Sequence, residues 1–511
     1  MSDRDVAPDH ALTGIRGLDD VLGGGFTPNR LYLLEGMPGS GKTTLAFQFL
    51  MEGVKQGERV LYITLSETEE EIRAVARSHG WSFDGIEVRE LVPTQETLEP
   101  DAQYTMFHPS EVELSDTTRR ILEDVETIRP SRLVFDSLSE LRLLAGSPLR
   151  YRRQILALKQ YFAGQQCTVL LLDDLTGEGH DLQVQSIAHG VLLLQQSTPD
   201  YGKHRRRLSV LKFRGRDFRG GYHDYVIRRG GLEVFPRLVA AEHRAQPEEG
   251  RITSGIKGLD DLLGGGLDRG TSTLITGAAG TGKSSVAALF AYAAAERGET
   301  ATLLLFDENV RTLVMRMRSL DMDLQPHIDS GRMIVHQIDP AEWSPGEFSN
   351  ALRVAVAERR STVVVIDSLN GYLHSMPNER FLIIQLHEVL SYLGQQGVAS
   401  ILTNAQTGLI GQMKSEIDAS YLADSVVLTR YFELEGEVRM AISVVKKRGS
   451  PHERSIRELM LRNRQIQIGE PLRHYHGILT GVPSRAPGAG PQAPHQPPSS
   501  QISDTPKKPR S

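Results

Sequence analysis

Short apolar runs recur along this chain, separated by longer stretches of helical character. Residues 59–65, 132–135 and 168–172 in the first half are dominated by apolar and β-branched side chains, as are 300–306, 362–366 and 399–403 in the second. Runs without polar alternation read as strands buried on both faces, because a half-exposed strand would alternate. The stretches 44–55 and 285–297 read as helices. Buried strands separated by helices predict an α/β fold, a mostly parallel sheet covered by helices on both faces, with ligands at the carboxyl ends of the strands.

The pattern occurs twice. Residues 14–25 read G-I-R-G-L-D-D-V-L-G-G-G, and residues 255–266 read G-I-K-G-L-D-D-L-L-G-G-G, a constant offset of 241 positions. Such a register is the mark of a duplicated domain. The glycine triplets 23–25 and 264–266 predict a tight turn feeding the next strand, and both a ligand contact and a plain flexible turn fit them. Two domains are expected, 1–245 and 246–480, divided in the polar passage 241–250 that contains Pro247. The segment 481–511 holds eight prolines and almost no large apolar residues. It cannot bury enough surface to fold alone and is expected to be disordered, with a proline-rich docking role as the alternative.

Length and composition agree with two or three full cores, at 511 residues, 39% hydrophobic and 24% charged. The net charge of −6 gives no global pull toward nucleic acid or an anionic membrane. The lone cysteine, Cys167, lies in an apolar run and reads as a buried thiol in a cytoplasmic protein. The charged passage 1–10 predicts no signal peptide, and no apolar run is long enough to span a bilayer.

The candidate chemistry is duplicated too. Gly36-Met37-Pro38-Gly39-Ser40-Gly41-Lys42-Thr43 and Gly277-Ala278-Ala279-Gly280-Thr281-Gly282-Lys283-Ser284 both satisfy G-x-x-x-x-G-K-[ST]. In such a loop, backbone N–H groups close around phosphates and the lysine reaches the β- and γ-phosphates. The hydroxyls of Thr43 and Ser284 would help hold Mg²⁺, and Thr44 and Ser285 begin the following helices. A site that binds without hydrolysing is the alternative. Asp136 and Asp367 end buried strands and are each followed by Ser-Leu, the placement of a carboxylate that holds Mg²⁺ directly or through water. The next acids to consider are Glu67, preceded by Ser66, and the pair Asp307-Glu308 at the same offset, as groups that orient or deprotonate an attacking hydroxyl. A solvated strand end is the competing reading, evenly balanced at Glu67. Near each domain's end stand Lys212-Phe213-Arg214-Gly215 and Lys446-Lys447-Arg448-Gly449. Strand alternation puts Lys212 with Arg214, and Lys446 with Arg448, on one face, where they would contact a γ-phosphate held by a neighbouring subunit. A charged edge strand that discourages aggregation is the alternative. The cluster Lys203-His204-Arg205-Arg206-Arg207 reads as a hairpin at a subunit interface or a solvated surface rather than a nucleic-acid contact.

Taken together, these passages resemble the KaiC family, hexameric circadian-clock ATPases of the RecA superfamily, over residues 11–485. The likeness includes His452 and Ser455-Ile456-Arg457-Glu458 after the second basic strand. It implies tandem RecA-like domains, ATP with Mg²⁺ between neighbours of a homohexamer, an ATPase first domain, and a second domain with autokinase and autophosphatase activity. It places the phosphoacceptors at Ser420 and Tyr421, with Ser415 a third hydroxyl nearby, and implies a KaiB-like clock partner. Three departures are visible: Tyr421 replaces the second acceptor, Asp307 replaces the first glutamate of the family's pair, and Ser66 replaces the matching acid of the first domain. The tail after Arg485 does not resemble the family's activator-binding segment. The leading expectation is a KaiC-like ATPase and autokinase. An ATP-gated hexameric binding module without kinase activity and a RecA-type DNA recombinase or helicase stand as alternatives. The balance of 58 basic and 64 acidic residues gives the last no support.

Overall fold

Apolar side chains occupy nearly every position of the central strands, and the computed structural model buries them on both faces. It describes residues 10–91, 109–175, 182–199, 201–246, 249–373, 379–406, 408, 419–480 and 483–485. In the first half, β1 (Leu31–Gly36), β2 (Val60–Thr64), β3 (Ile86–Glu90), β4 (Arg132–Asp136), β5 (Thr168–Asp174) and β6 (Gly190–Ser197) run parallel. An antiparallel meander follows: β7 (Arg205–Phe213), β8 (Tyr222–Arg228) and β9 (Gly231–Phe235). The nine strands lie in the order β3-β2-β4-β5-β1-β6-β7-β8-β9. Successive β1 residues feed opposite cores, as strand geometry requires: Leu31 and Leu33 enter one, Tyr32 and Leu34 the other.

The second half repeats this plan. A short ribbon, β10 (Arg251–Ile252) with β11 (Leu267–Asp268), precedes β12 (Ser272–Gly277), β13 (Thr300–Leu305), β14 (Met333–Gln337), β15 (Ser361–Asp367), β16 (Ala399–Ala405) and β17 (Ser425–Leu434). The meander is β18 (Glu437–Lys447), β19 (Arg457–Arg462) and β20 (Gln465–Pro471). Their order is β14-β13-β15-β16-β12-β17-β18-β19-β20, the counterpart of the first sheet strand for strand. The fold is therefore the expected α/β, with two mostly parallel, helix-covered sheets in tandem. The meanders were not legible as such, because their strands alternate and carry many charges.

Element ends moved where local chemistry differs from hydrophobicity. The helix expected at 44–55 starts at Lys42, and that expected at 285–297 starts at Lys283. In both, the preceding glycine supplies the turn. β5 and β16 run beyond the predicted ends, 172 and 403, to include Asp173-Asp174 and Asn404-Ala405. Cys167 is buried, and burial pushes its thiol pKa up. Arg132 is buried at the start of β4. It donates to the carbonyls of Leu12 and Phe49 at 2.6 and 2.8 Å and pairs with Glu58 at 2.5 Å, tying the N-terminal segment to the first sheet.

The two halves are joined by polar contacts. Arg205 donates to the carbonyls of Trp343 (2.5 Å) and Pro340 (2.6 Å), and Lys203 pairs with Glu342 at 2.5 Å. Asp224 accepts from the N–H of Gly346 at 2.7 Å, in the first turn of the helix Pro345–Ala357. Arg228 pairs with Glu347 of the same helix. In the 203–207 cluster, which lies at a hairpin, Lys203, His204 and Arg207 are exposed, in line with a solvated surface, while Lys203 and Arg205 also reach the second half of the same chain. Leu238 and Ala240 enter a core of the second sheet, and the Ala240 N–H donates to Glu388 at 3.0 Å. Among the described residues no helix is long and apolar enough to cross a membrane. Most of the segment 481–511 lies outside the described residues.

Candidate functional sites

Each phosphate loop leaves the carboxyl end of a central strand and turns into a helix through a glycine in the left-handed region. Gly41 has φ of 97° and Gly282 of 84°, and neither helix has a side-chain cap. The first-turn N–H groups are thus left for an anion, at the positive end of the helix dipole. Ser40 carries a buried Oγ with no hydrogen-bond partner among the described residues, while its carbonyl accepts from the Tyr225 hydroxyl at 2.6 Å. Thr281 donates to the Ala278 carbonyl at 2.8 Å and shares a hydrogen bond with Thr429. A Cβ on Gly36 would meet Ser40 Oγ at 2.5 Å, and one on Gly277 would meet the Thr429 carbonyl at 2.1 Å, so both sites require the missing side chain. Gly39 and Gly280, with φ of 80° and 81°, complete the turns.

The fold brings the loop hydroxyls and the strand-end aspartates together. Thr43 Oγ1 lies 3.2 Å from Asp136 Oδ2, and Ser284 Oγ lies 3.0 Å from Asp367 Oδ1. A hydroxyl and a carboxylate side by side beside a phosphate loop suit Mg²⁺, which takes one or two protein oxygens and keeps waters and phosphate oxygens for the rest. Burial raises the Asp136 pKa, opposed by hydrogen bonds from Tyr62 and Thr43 and by the Lys42 charge. Sequence reasoning missed the groups that orient these carboxylates: Tyr62 donates to Asp136 at 2.5 Å, and Thr403 donates to Asp367. Both sit inside apolar strands, where nothing in the pattern marks them.

The candidate bases differ between the halves. Glu67 is held by its backbone: its N–H donates to Thr64 Oγ1 at 3.0 Å, and Thr64 returns a bond to the Glu67 carbonyl. Its Oε2 is buried with no partner among the described residues. Burial raises its pKa, aided by the neighbouring Asp136 charge. Ser66 is exposed. In the second half, Asp307 accepts from Ser368 Oγ, and Glu308 pairs with Arg316, which also donates to Ser285 Oγ at 2.7 Å. Asp307 is thus tied to the strand-end Asp367-Ser368, whereas Glu308 is tied to the helix Val310–Ser319.

The lysines are held unequally. Lys42 donates to the carbonyls of Gly36 (2.8 Å) and Met37 (3.2 Å) and pairs with Asp174 at 2.5 Å. Lys283 donates to the Ala278 carbonyl at 2.7 Å, and burial lowers its pKa. Asp174 was also missed, although acids at the end of an apolar strand are a readable signal.

The basic strands lie at the opposite end of each sheet from the loops. Lys212 donates to the carbonyls of Gln185 and Ser186, and Arg214 to that of Ser186. Lys446 donates to the carbonyls of Ser420 and Ala423, and Arg448 to that of Tyr421. Each pair reaches one segment, as the shared strand face requires. Ser420 is half-buried and Tyr421 exposed, both beside Lys446 and Arg448, while Ser415 lies outside the described residues. Residue 420 precedes the start of β17, which runs parallel to β12. The length of β12, at about 3.3 Å per residue, keeps Ser420 roughly 17 Å or more from the loop of its own chain.

Comparison with known proteins follows this geometry. The family model described as "ATPase: KaiC" matches residues 11–239 and 252–473, one passage over each sheet. The chain is similar to "Circadian clock protein KaiC3" of Synechocystis sp., 28% identical over 480 residues, 92% of this chain and 94% of that protein. It is also similar to "Circadian clock oscillator protein KaiC" of Thermostichus vulcanus, 26% identical over 93% of this chain and 91% of the relative. The corresponding protein of Synechococcus elongatus is 27% identical over the same shares. With the family model covering both sheets and both phosphate loops, the chain belongs to the KaiC family of ATPases.

Proposed function

We propose that this protein is a ring-forming ATPase whose second domain transfers phosphate to a neighbouring copy of itself. Gly36, Gly39, Ser40, Gly41, Lys42, Thr43 and Thr44 bind one ATP, and Gly277, Gly280, Thr281, Gly282, Lys283, Ser284 and Ser285 the other. Thr43 with Asp136, and Ser284 with Asp367, hold Mg²⁺, which when bound neutralises phosphate charge. Glu67 in the first domain, and Asp307 with Glu308 in the second, orient or deprotonate the attacking hydroxyl. The domains are taken as 1–245 and 246–480.

The observation that carries the transfer is the placement of Ser420 and Tyr421 with Lys446 and Arg448 at the far end of the sheet from Lys283. A hydroxyl there cannot reach its own chain's phosphate but suits one presented by a neighbour. Lys446 and Arg448, like Lys212 and Arg214, then balance charge on the neighbour's γ-phosphate. In the transfer, the Ser420 Oγ–phosphorus bond forms and the bond from phosphorus to the β–γ bridging oxygen breaks. ADP leaves, and the hydroxyl proton passes to Asp307 of the neighbouring copy. A homohexamer with ATP between copies, and a KaiB-like partner, belong to the proposal through the family resemblance and not through contacts of this chain.

Incubation with γ-labelled ATP and Mg²⁺, followed by mass spectrometry of residues 410–430, tests the reading. Phosphate on Ser420 or Tyr421, lost in Lys283→Ala, is expected. Hydrolysis with no phosphopeptide would replace the kinase by an ATP-gated assembly module, and stimulation by single-stranded DNA would point to the recombinase alternative.

A further inference from the structure

The two phosphate loops satisfy the same motif, yet their lysines are held differently. β5 lies between β4 and β1, so its last residue stands beside the first loop, and Gly36 is in register with Asp174. At the same place in the second sheet, Gly277 is in register with Ala405. The exchange extends one pair further: Glu35 and Asp173 face each other in the first sheet, Thr276 and Asn404 in the second. Glu35 accepts from Gln185 at 2.8 Å and Asp173 pairs with Arg142 at 2.5 Å, so these two acids are satisfied within the fold. Asp174 instead takes the lysine itself, at 2.5 Å.

An ammonium has three N–H donors. Lys42 places all three, on Gly36, Met37 and Asp174. Lys283 places one, on Ala278, among the described residues. Among the described residues, phosphate reaching Lys283 finds open donors, whereas phosphate reaching Lys42 must displace a half-buried carboxylate from a charge-assisted contact.

Accepting the first loop as a nucleotide site, we infer that Asp174 is a latch on Lys42 that weakens the first site for nucleotides bearing a β-phosphate, relative to the second site with Ala405. Asp174 is a positioning residue: it acts through the lysine. The latch gives two loops of one motif in one chain a different hold on a β-phosphate.

The test uses the full chain in a Lys283→Ala background and titrates a fluorescent ADP into the first site with Mg²⁺ present. Asp174→Asn and Asp174→Ala are both expected to tighten binding about 10-fold, the size of one charge-assisted hydrogen bond. AMP, which lacks the phosphates the lysine reaches, is expected to bind all three proteins alike. In the reciprocal experiment, Ala405→Asp in a Lys42→Ala background weakens the second site by a similar factor. Unchanged or weaker ADP binding in both Asp174 variants overturns the latch. A parallel shift for AMP would overturn it as well, since that reports a general change of the loop. If the first site binds no ADP with or without Asp174, the nucleotide reading of that site falls, and the latch with it.

Discussion

Glu67 shows how a single carboxylate is tuned by its surroundings. Burial, with the Asp136 charge behind it, raises its pKa above the ordinary 4.5. A base must be ionised, so first-domain hydrolysis in the Lys283→Ala protein is expected to fall on acidification with a midpoint above 4.5. Glu67→Gln is expected to lower that rate by about 100-fold or more and to remove the acid limb. The linkage has the opposite sign for folding. Because the folded protein disfavours ionised Glu67, the Gln variant gains stability above the raised pKa and loses the advantage as pH falls below 4.5. Rate against pH, with denaturant unfolding at the same pH values, checks both; a Gln variant with a wild-type profile would remove Glu67 from the chemistry. The residues that orient the strand-end carboxylates of Asp136 and Asp367, Tyr62 and Thr403, were not legible in the sequence because each occupies a strand position that an apolar residue would also suit.

At the scale of the element, the start of each loop helix rests on one backbone conformation. Gly41 and Gly282 share the left-handed region, but their surroundings differ. A Cβ on Gly41 would stand 2.6 Å from Ile227 Cδ1, while one on Gly282 would stand 3.2 Å from Leu459 Cδ2. The left-handed conformation costs alanine about 1–2 kcal/mol in either loop. Gly41→Ala adds the displacement of Ile227 and is expected to lower nucleotide affinity and melting temperature more than Gly282→Ala. Equal losses in a thermal-shift series with and without ATP would mean that the contact with β8 is immaterial. These loops were the most legible feature of the chain, since the motif states the backbone geometry it needs. The limits of β5 were not: the apolar run stops at residue 172, whereas pairing with β1 continues to Asp174, beyond where hydrophobicity can report.

For the molecule as a whole, the first sheet's meander serves two purposes. Tyr225 holds the Ser40 carbonyl of the first loop, and the adjacent Asp224 holds the Gly346 N–H of the second half. Removing that acceptor in Asp224→Ala leaves a half-buried N–H without its charged partner, a loss of about 1 kcal/mol or more. The expected result is a shift from coupled unfolding of the two halves toward two separate calorimetric transitions. A single transition at the wild-type temperature would show that Arg205 and the Leu238–Ala240 packing suffice. The sequence read the 203–207 cluster as an interface hairpin or a solvated surface; only the docking of one half on the other shows that Arg205 donates to the backbone carbonyls of residues 340 and 343.

The amino-acid sequence by itself determined the duplicated α/β plan, both phosphate loops and the strand-end aspartates. These depend on local conformation and on runs of apolar residues, which are written into consecutive positions. Strand order, the inequality of Lys42 and Lys283, the carboxylates' hydroxyl donors and the contact between halves were decided by the tertiary structure. Each joins residues far apart in the chain, and at that range which donor meets which acceptor depends on how the sheets pack.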